Sequence, residues 1–219
     1  MPDELVPDIP GFGPERCERF LDGTRGADPR ALLVSFLASV DRGARALDIG
    51  CGPGRETVAM LQHGLRVVAI DPYPRMIEFA RAAVDASCPD ARDRVAFHMA
   101  TVESFAPQLA PKSFELVHAG FVLPFVRARD FPPTFGAIRA ALCPGGLLVA
   151  QFFGPDDEFI RESGREDMTA HSAAELDATL ASLEVLHREE VNRSGFVGKG
   201  RAKWWHVHHV VARAPAGRP

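Results

Sequence analysis

Residues 46–60 read ALDIGCGPGRETVAM, and the reading of this stretch decides the fold. The apolar run before Gly50 has the length and composition of a buried strand, set at Arg45–Ile49. Gly50, Gly52 and Gly54 follow within five residues. Glycine lacks a Cβ and tolerates positive φ, so such a turn brings backbone close to a ligand. From Arg55 to His63 the apolar spacing is helical and Gly64 closes the segment, so free backbone N–H groups stand at the helix start beside the turn. The dinucleotide fingerprint GxGxxG asks for a small sixth residue, and the sixth here is Arg55, which would crowd a helix against a sheet. Asp48, two residues before Gly50, stands where its carboxylate meets an ammonium group or organises the turn. A ligand with a positive end therefore suits the site better than a pyrophosphate.

Outward from that turn the chain alternates strand and helix. RVVAI at residues 66–70 is a second strand, and Pro74 opens a helix running to about Asp85. Further strands fit residues 95–99, 114–118 and 147–153, with a helix over 131–142 between the last two. This alternation predicts an α/β Rossmann-like three-layer sandwich around a mostly parallel seven-stranded sheet. Upstream, a short helix fits residues 15–21, and Asp28 with Pro29 starts an apolar helix through Val40. Downstream, residues 154–170 are charged and read as a loop or small lid. Ser172 and Glu175 have capping-box spacing for a helix to Leu180. Residues 183–190 and 203–213 then form an antiparallel C-terminal hairpin. One domain over residues 1–219 is the economical reading.

Composition narrows the function classes. The net charge is −4 with basic residues scattered, so a nucleic-acid partner lacks its electrostatic footprint. The N-terminus has acids and prolines where a secretory signal has a basic end and an apolar core, and no apolar run approaches bilayer length. Four cysteines lie far apart with no CxxC, as expected of free thiols in a cytoplasmic protein with no membrane partner. A homodimer is left open.

Asp71 closes the second strand in VVAIDPYP, 21 residues after Gly50, the spacing at which an acid accepts both ribose hydroxyls of an adenosine. Asp-Pro is also a common helix start, but here it coincides with the glycine turn. With LDIGCGPG and Asp71 together, the chain resembles the class I, seven-strand S-adenosylmethionine-dependent methyltransferases from about Leu47 to Gly146. FFGPDDEF, MTAHS at residues 168–172 and KWWHVHHVV at residues 203–211 resemble a small-molecule subgroup named for tellurite resistance.

The resemblance implies S-adenosyl-L-methionine as cofactor, with Gly50, Gly52 and Gly54 holding its methionine part and Asp48 near its amino group. Asp71 and Pro72 would take the ribose, and Tyr73 and Met76 would lie beside the adenine. Where the family often places an acid after the third strand, this sequence has Thr101 and Val102, so the adenine amino group is left to Thr101, Glu103 or water. The loop HAGFVLPF after the fourth strand would pass the sulfonium, making His118 a candidate for cofactor contact or proton transfer and Phe121 and Phe125 pocket walls. Residues 1–43 would cap the site as helices.

The implied reaction is direct displacement of the methyl group by a small-molecule acceptor. Alignment and exclusion of water supply much of the catalysis, and a general base is needed only for acceptors that must lose a proton. His118, His171 and His206 are the histidines considered for that role, with His118 and His206 as catalytic candidates. The rival readings are a non-methylating user of the same cofactor, releasing methylthioadenosine by cyclisation or cleavage, and a non-catalytic cofactor-binding protein. In KWWHVHHVV, strand alternation puts Trp204, His206 and His208 on one face and Trp205, Val207 and His209 on the other. Trp204, Trp205 and His171 are assigned to the substrate pocket. A metal role for His206 and His208 needs a third ligand, none is visible at suitable spacing, and no metal is assigned.

Overall fold

The computed structural model describes residues 14–24, 26–163, 166–197 and 202–217. In chain order these form α1 (Pro14–Thr24), α2 (Ala31–Leu37), β1 (Arg45–Ile49), α3 (Arg55–His63), β2 (Arg66–Asp71) and α4 (Pro74–Ser87). Then come β3 (Val95–Met99), α5 (Val102–Phe105), β4 (Phe114–Ala119), α6 (Phe131–Ala141) and β5 (Leu142–Phe153). The chain continues through α7 (Glu158–Ser163), α8 (Ala173–Leu180), β6 (Glu184–Phe196) and β7 (Ala202–Arg213).

The strands make one seven-stranded sheet in the order β3-β2-β1-β4-β5-β7-β6. The first five run parallel, and β7 lies antiparallel to both β5 and β6. The Rossmann-like expectation therefore holds, including the antiparallel hairpin. β1 and β4 sit centrally and are buried on both faces, so that Ala46, Leu47 and Ile49 and then Leu116, Val117 and Ala119 are buried without alternation. One face carries α2, α3 and α4, whose Leu33, Leu37, Met60, Leu61, Ile77 and Val84 meet Ala46, Leu116 and Val149. The other carries α6 and α8, with Phe135, Ile138, Leu176 and Leu180 against Leu47, Val117, Leu148 and Val210. Each fully buried Leu or Ile contributes about 1.5–3 kcal/mol relative to exposure.

The strand order reverses between β3-β2-β1 and β4-β5, which is where open α/β sheets leave a crevice at the carboxyl ends of their strands. Several expected elements differ in detail, β5 among them, which begins at Leu142 rather than residue 147. The helix after Pro29 starts at Ala31 with Arg30 as its N-cap and no side-chain capping bond, so Asp28 does not cap it. The strand set at residues 183–190 runs on to Phe196, because the whole of β6 pairs with β7 from Glu184↔Arg213 to Phe196↔Ala202. The capping box at Ser172 and Glu175 is present as read. Expectations for residues 1–13 lie outside the described residues.

Candidate active site

The turn after β1 has the conformation its glycines allow. Gly50, Gly52 and Gly54 have φ of 65°, 52° and 89°. At Gly50 an added Cβ would lie 2.1 Å from Val122 Cγ2, and at Gly54 it would lie 2.8 Å from the Ala80 backbone. Gly54 is therefore the packing glycine that lets α3 and α4 meet, Gly50 makes room for Val122 of the loop after β4, and the main chain of Gly50 and Gly52 lines the cavity above the sheet. Arg55 does not crowd the sheet, because its guanidinium turns back onto Glu56 at 2.8 Å.

Asp71 sits at the end of β2, 6% exposed. Its two carboxylate oxygens accept the Gly52 and Tyr73 N–H groups, each at 3.0 Å. Each oxygen retains a further lone pair for a ligand hydroxyl. Burial raises its pKa to about 6, despite those two backbone donors pulling the other way.

Asp48 has a different task from the one foreseen near an ammonium group. It is fully buried, accepts Thr57 Oγ1 at 2.5 Å, and lies 2.8 Å from His118 Nδ1. The pair ties β1 to α3 and to β4 from behind the cleft. Neither Asp48 nor His118 lines the cavity; the His118 ring packs behind Gly120, within 3 Å of where a Cβ there would stand. The placement of His118 against the cofactor is corrected accordingly: a strand-end residue turns inward when a buried carboxylate waits beside it.

A cavity of about 1320 Å³ opens over the strand ends. Gly50, Gly52, Asp71, Pro72, Tyr73, Met76, Thr101 and Val102 line one end, as the sequence reading proposed, and Ile49, Ile70, Ala100 and Glu103 join them. Thr101 caps α5 by accepting the Ser104 N–H at 3.3 Å. At the other end stand Phe121, Phe125, Phe153, Phe159 and Trp205, in edge-to-face contact at centroid distances near 6 Å. Phe121 has φ of 60°, a strained value for an aromatic residue, and the Arg30 guanidinium lies 4.5 Å over its ring. Arg30 is itself a wall of the cavity, its pKa lowered to about 10 chiefly by burial.

Two residues assigned to the pocket, Trp204 and His171, and the catalytic candidate His206 fall elsewhere. Trp204 is 43% exposed and its indole N–H donates to Asn192 Oδ1 at 2.6 Å on the outer side of the hairpin. His206 lies on the sheet face opposite Trp205, where Gly154 makes room for its ring. His171 is buried between Phe131 and Phe152, at 4.8 and 5.5 Å between ring centroids. Strand alternation at β7 admits only one of each neighbouring pair to the cavity, and that one is Trp205. Among the described residues, no histidine, lysine or cysteine lines the cavity.

The wall behind Trp205 is assembled from distant segments. Lys203, almost fully buried, is ion-paired with the buried Asp157 carboxylate, and its ammonium lies 3.6 Å from the Phe159 ring centroid and 3.9 Å from that of Trp205. Asp157 also accepts the His206 N–H at 3.1 Å and the Phe159 N–H at 3.0 Å. Burial raises the Asp157 pKa above its ordinary value, opposed by Lys203. Phe153, Phe159, Ile160, Met168 and Val207 form a separate apolar cluster around this pair. The stretch read as a loop or lid thus packs as wall, for its apolar residues are buried rather than held over solvent. Sequence reasoning missed Arg30, Val122, Phe153 and Phe159; the apolar FF pair before Gly154 was the available signal for the contribution of β5.

This geometry agrees with what the chain is similar to. Residues 47–148 match a family model described as a methyltransferase domain. A magnesium-protoporphyrin O-methyltransferase from Rhodobacter capsulatus is 36% identical over 155 residues, covering 67% of this chain and 66% of that protein. The chain belongs to the class I S-adenosylmethionine-dependent methyltransferase family. A carboxy-S-adenosyl-L-methionine synthase from Stutzerimonas stutzeri is 29% identical over 172 residues, covering 69% of this methyltransferase-family chain and 68% of that protein. The solved 1,6-didemethyltoxoflavin-N1-methyltransferase of Burkholderia thailandensis shares the fold, with a TM-score of 0.61 and 21% identity over 91% of this chain and 87% of that one. The alignment spans about two thirds of the first relative's length and between 35% and 41% of several others. No helix among the described residues is long and apolar enough to cross a membrane.

Proposed function

We propose that this protein transfers a methyl group from S-adenosyl-L-methionine to a small, apolar or aromatic acceptor. The observation that carries the reading is one cavity with two unlike ends, the Gly50–Gly52 turn with Asp71 at one and the wall of Phe121, Phe153, Phe159 and Trp205 at the other. The cradle suits the cofactor: Gly50 and Gly52 put bare main chain on the cavity wall, and the buried Asp71 carboxylate faces the place of the ribose.

When bound, S-adenosyl-L-methionine supplies an electrophilic methyl carbon on a sulfonium. Asp71 accepts the ribose hydroxyls, and Thr101 and Glu103 border the adenine. Val122, held in the gap left by Gly50, presses on the turn that carries the methionine part. Phe121, Phe153 and Trp205 hold the acceptor in line and exclude water, which leaves alignment as the principal source of rate. Because no histidine, lysine or cysteine among the described residues lines the cavity, the acceptor class that fits is one whose nucleophile needs no strong base: a thiolate, a neutral amine or an acidic phenol. His118 and His171 then serve packing rather than proton transfer, and His206, on the far face of β7, takes no part in it. The reading includes a cytoplasmic, small-molecule enzyme without nucleic-acid or membrane partners, with the helical N-terminal segment capping the cleft through Phe20 and Thr24.

The test is incubation of the purified protein with S-adenosyl-L-methionine and a panel of small aromatic thiols, amines and phenols, followed by mass analysis. S-adenosylhomocysteine formed in step with a methylated acceptor is the expected result. Methylthioadenosine appearing instead would sink the transfer reading in favour of a different reaction on the same cofactor.

A further inference from the structure

We propose that Glu190, His206 and His208 form a binding site for a transition-metal dication of the zinc class, placed on the C-terminal hairpin outside the cofactor cavity. The three come from adjacent strands: Glu190 of β6 stands directly opposite His208 of β7, and His206 precedes it on the same face. Their ligating atoms all lie within 4.8 Å of one another, and the two imidazole centroids are 5.4 Å apart. Metal bonds of about 2 Å to imidazole nitrogen and carboxylate oxygen need only a modest inward movement of these side chains.

The tautomers support the reading. His208 is fully buried, and its Nε2 lies 3.2 Å from the His171 carbonyl oxygen. A carbonyl only accepts, so Nε2 carries the proton and Nδ1 presents a lone pair. That Nδ1 is buried with no hydrogen-bond partner among the described residues, 3.9 Å from Glu190 Oε2. An orphaned ring nitrogen is costly to bury, and a metal ion is the partner its lone pair fits. The proton on the far nitrogen, held by a backbone carbonyl, is the arrangement that orients metal-bound histidines.

His206 completes the pair. Its Nε2 is 2.9 Å from Glu190 Oε1, and its Nδ1 accepts the Asp156 N–H at 3.2 Å with Asp156 Oδ2 3.3 Å away. On loading, the ring proton leaves Nε2 for Nδ1, the Asp156 N–H gives up Nδ1 as its acceptor, the new Nδ1–H donates a hydrogen bond to Asp156 Oδ2, and Nε2 and Glu190 turn to the metal. No net proton is released by that tautomer change. Two imidazoles and one carboxylate leave a fourth position on the half-exposed Glu190 side for water, the donor set that suits zinc rather than magnesium or calcium.

The site has a structural consequence for the cavity. It fastens β6 and β7 to the Gly154–Asp157 turn on the face opposite Trp205, so a bound metal sets the position of the strand that presents Trp205.

Isothermal titration of the chelator-treated full chain with zinc chloride, alongside thermal melting with zinc or magnesium, tests the site. One equivalent of zinc bound, a zinc-specific rise in Tm, and binding weakened at least about tenfold in His208→Gln and Glu190→Gln are expected. Glu190 is half exposed, so its variant keeps the fold, which circular dichroism checks, even if His208→Gln does not. No saturable binding by the parent protein, equal binding by Glu190→Gln, or an equal loss in His98→Gln at the far edge of the sheet would overturn the proposal.

Discussion

The two ends of the cavity are built by different physics. At the β1–β2 end the geometry is set by main chain: glycines at positive φ, and a carboxylate that grips two backbone N–H groups within 19 residues of sequence. At the hairpin end it is set by side chains that meet across long loops, such as Lys203 with Asp157 and His206 with Asp156 and Glu190. The first end tolerates change in most side chains but not in backbone conformation. The second holds only while its buried charges stay matched.

The sharpest way to break this comparison is Lys203→Met. It leaves the Asp157 carboxylate buried without its counter-ion, and a loss of about 3–5 kcal/mol in chemical denaturation is expected. Pairing it with Asp157→Asn should restore part of the loss, since the amide removes the unpaired charge and its oxygen still accepts one of the two backbone N–H groups that Asp157 holds. If Lys203→Met alone unfolds no more readily than the parent, the hairpin end is not charge-matched in the sense argued here.

Asp71→Asn should act in the opposite manner. Calorimetry with S-adenosylhomocysteine is expected to show affinity reduced about 100-fold, from the loss of two charge-assisted hydrogen bonds, with a smaller change in Tm than Lys203→Met produces. A large Tm loss with intact affinity would reverse the assignment of the two ends.

The pH dependence is the next effect in size. Asp71 has a folded pKa of about 6, above its ordinary 3.8, so the ionised form is disfavoured by folding and the stability it contributes is full below pH 3.8 and is lost as pH rises through 6. Ribose hydroxyls donate to the ionised form, so affinity for S-adenosylhomocysteine should run the other way. It should rise about tenfold between pH 5 and pH 7 and then level off, as one pKa unit below the midpoint leaves about a tenth ionised. Asp71→Asn should flatten the profile.

The smallest effect belongs to Trp204→Phe. Its indole is exposed and bonded only on the outer side of the hairpin, so stability within about 0.5 kcal/mol of the parent and unchanged acceptor KM are expected. Trp205→Phe, one residue on, should raise the acceptor KM while leaving S-adenosylhomocysteine affinity alone. Equal behaviour of the two variants would undo the facial assignment of β7.

The same contrast explains what the sequence disclosed. β1, α3 and the spacing to Asp71 are local, so the glycine turn and the buried carboxylate beside it were legible from residues 46–71, and the alternation of elements followed from periodicity. Asp48 and His118 were misplaced because their contact spans 70 residues, and nothing local says that two polar strand-end residues turn toward each other rather than into the cleft. Phe153 and Phe159 were passed over, and His206 was set on the wrong side, because a β7 register relative to β5 decides which alternate residue faces the cavity. Glu190, the ligand that the histidines lacked in sequence, lies 16 residues before His206 and meets it only through the hairpin pairing.

Val122 occupies the volume where any side chain on residue 50 would begin. The loops after β1 and β4 are thus interlocking halves of one joint, each shaped to the other's missing or present atoms. Grafting either loop alone from a protein that carries a different partner should jam the joint, whereas exchanging both together should preserve it, which makes the pair rather than the glycine motif the natural unit for building chimeras on this sheet.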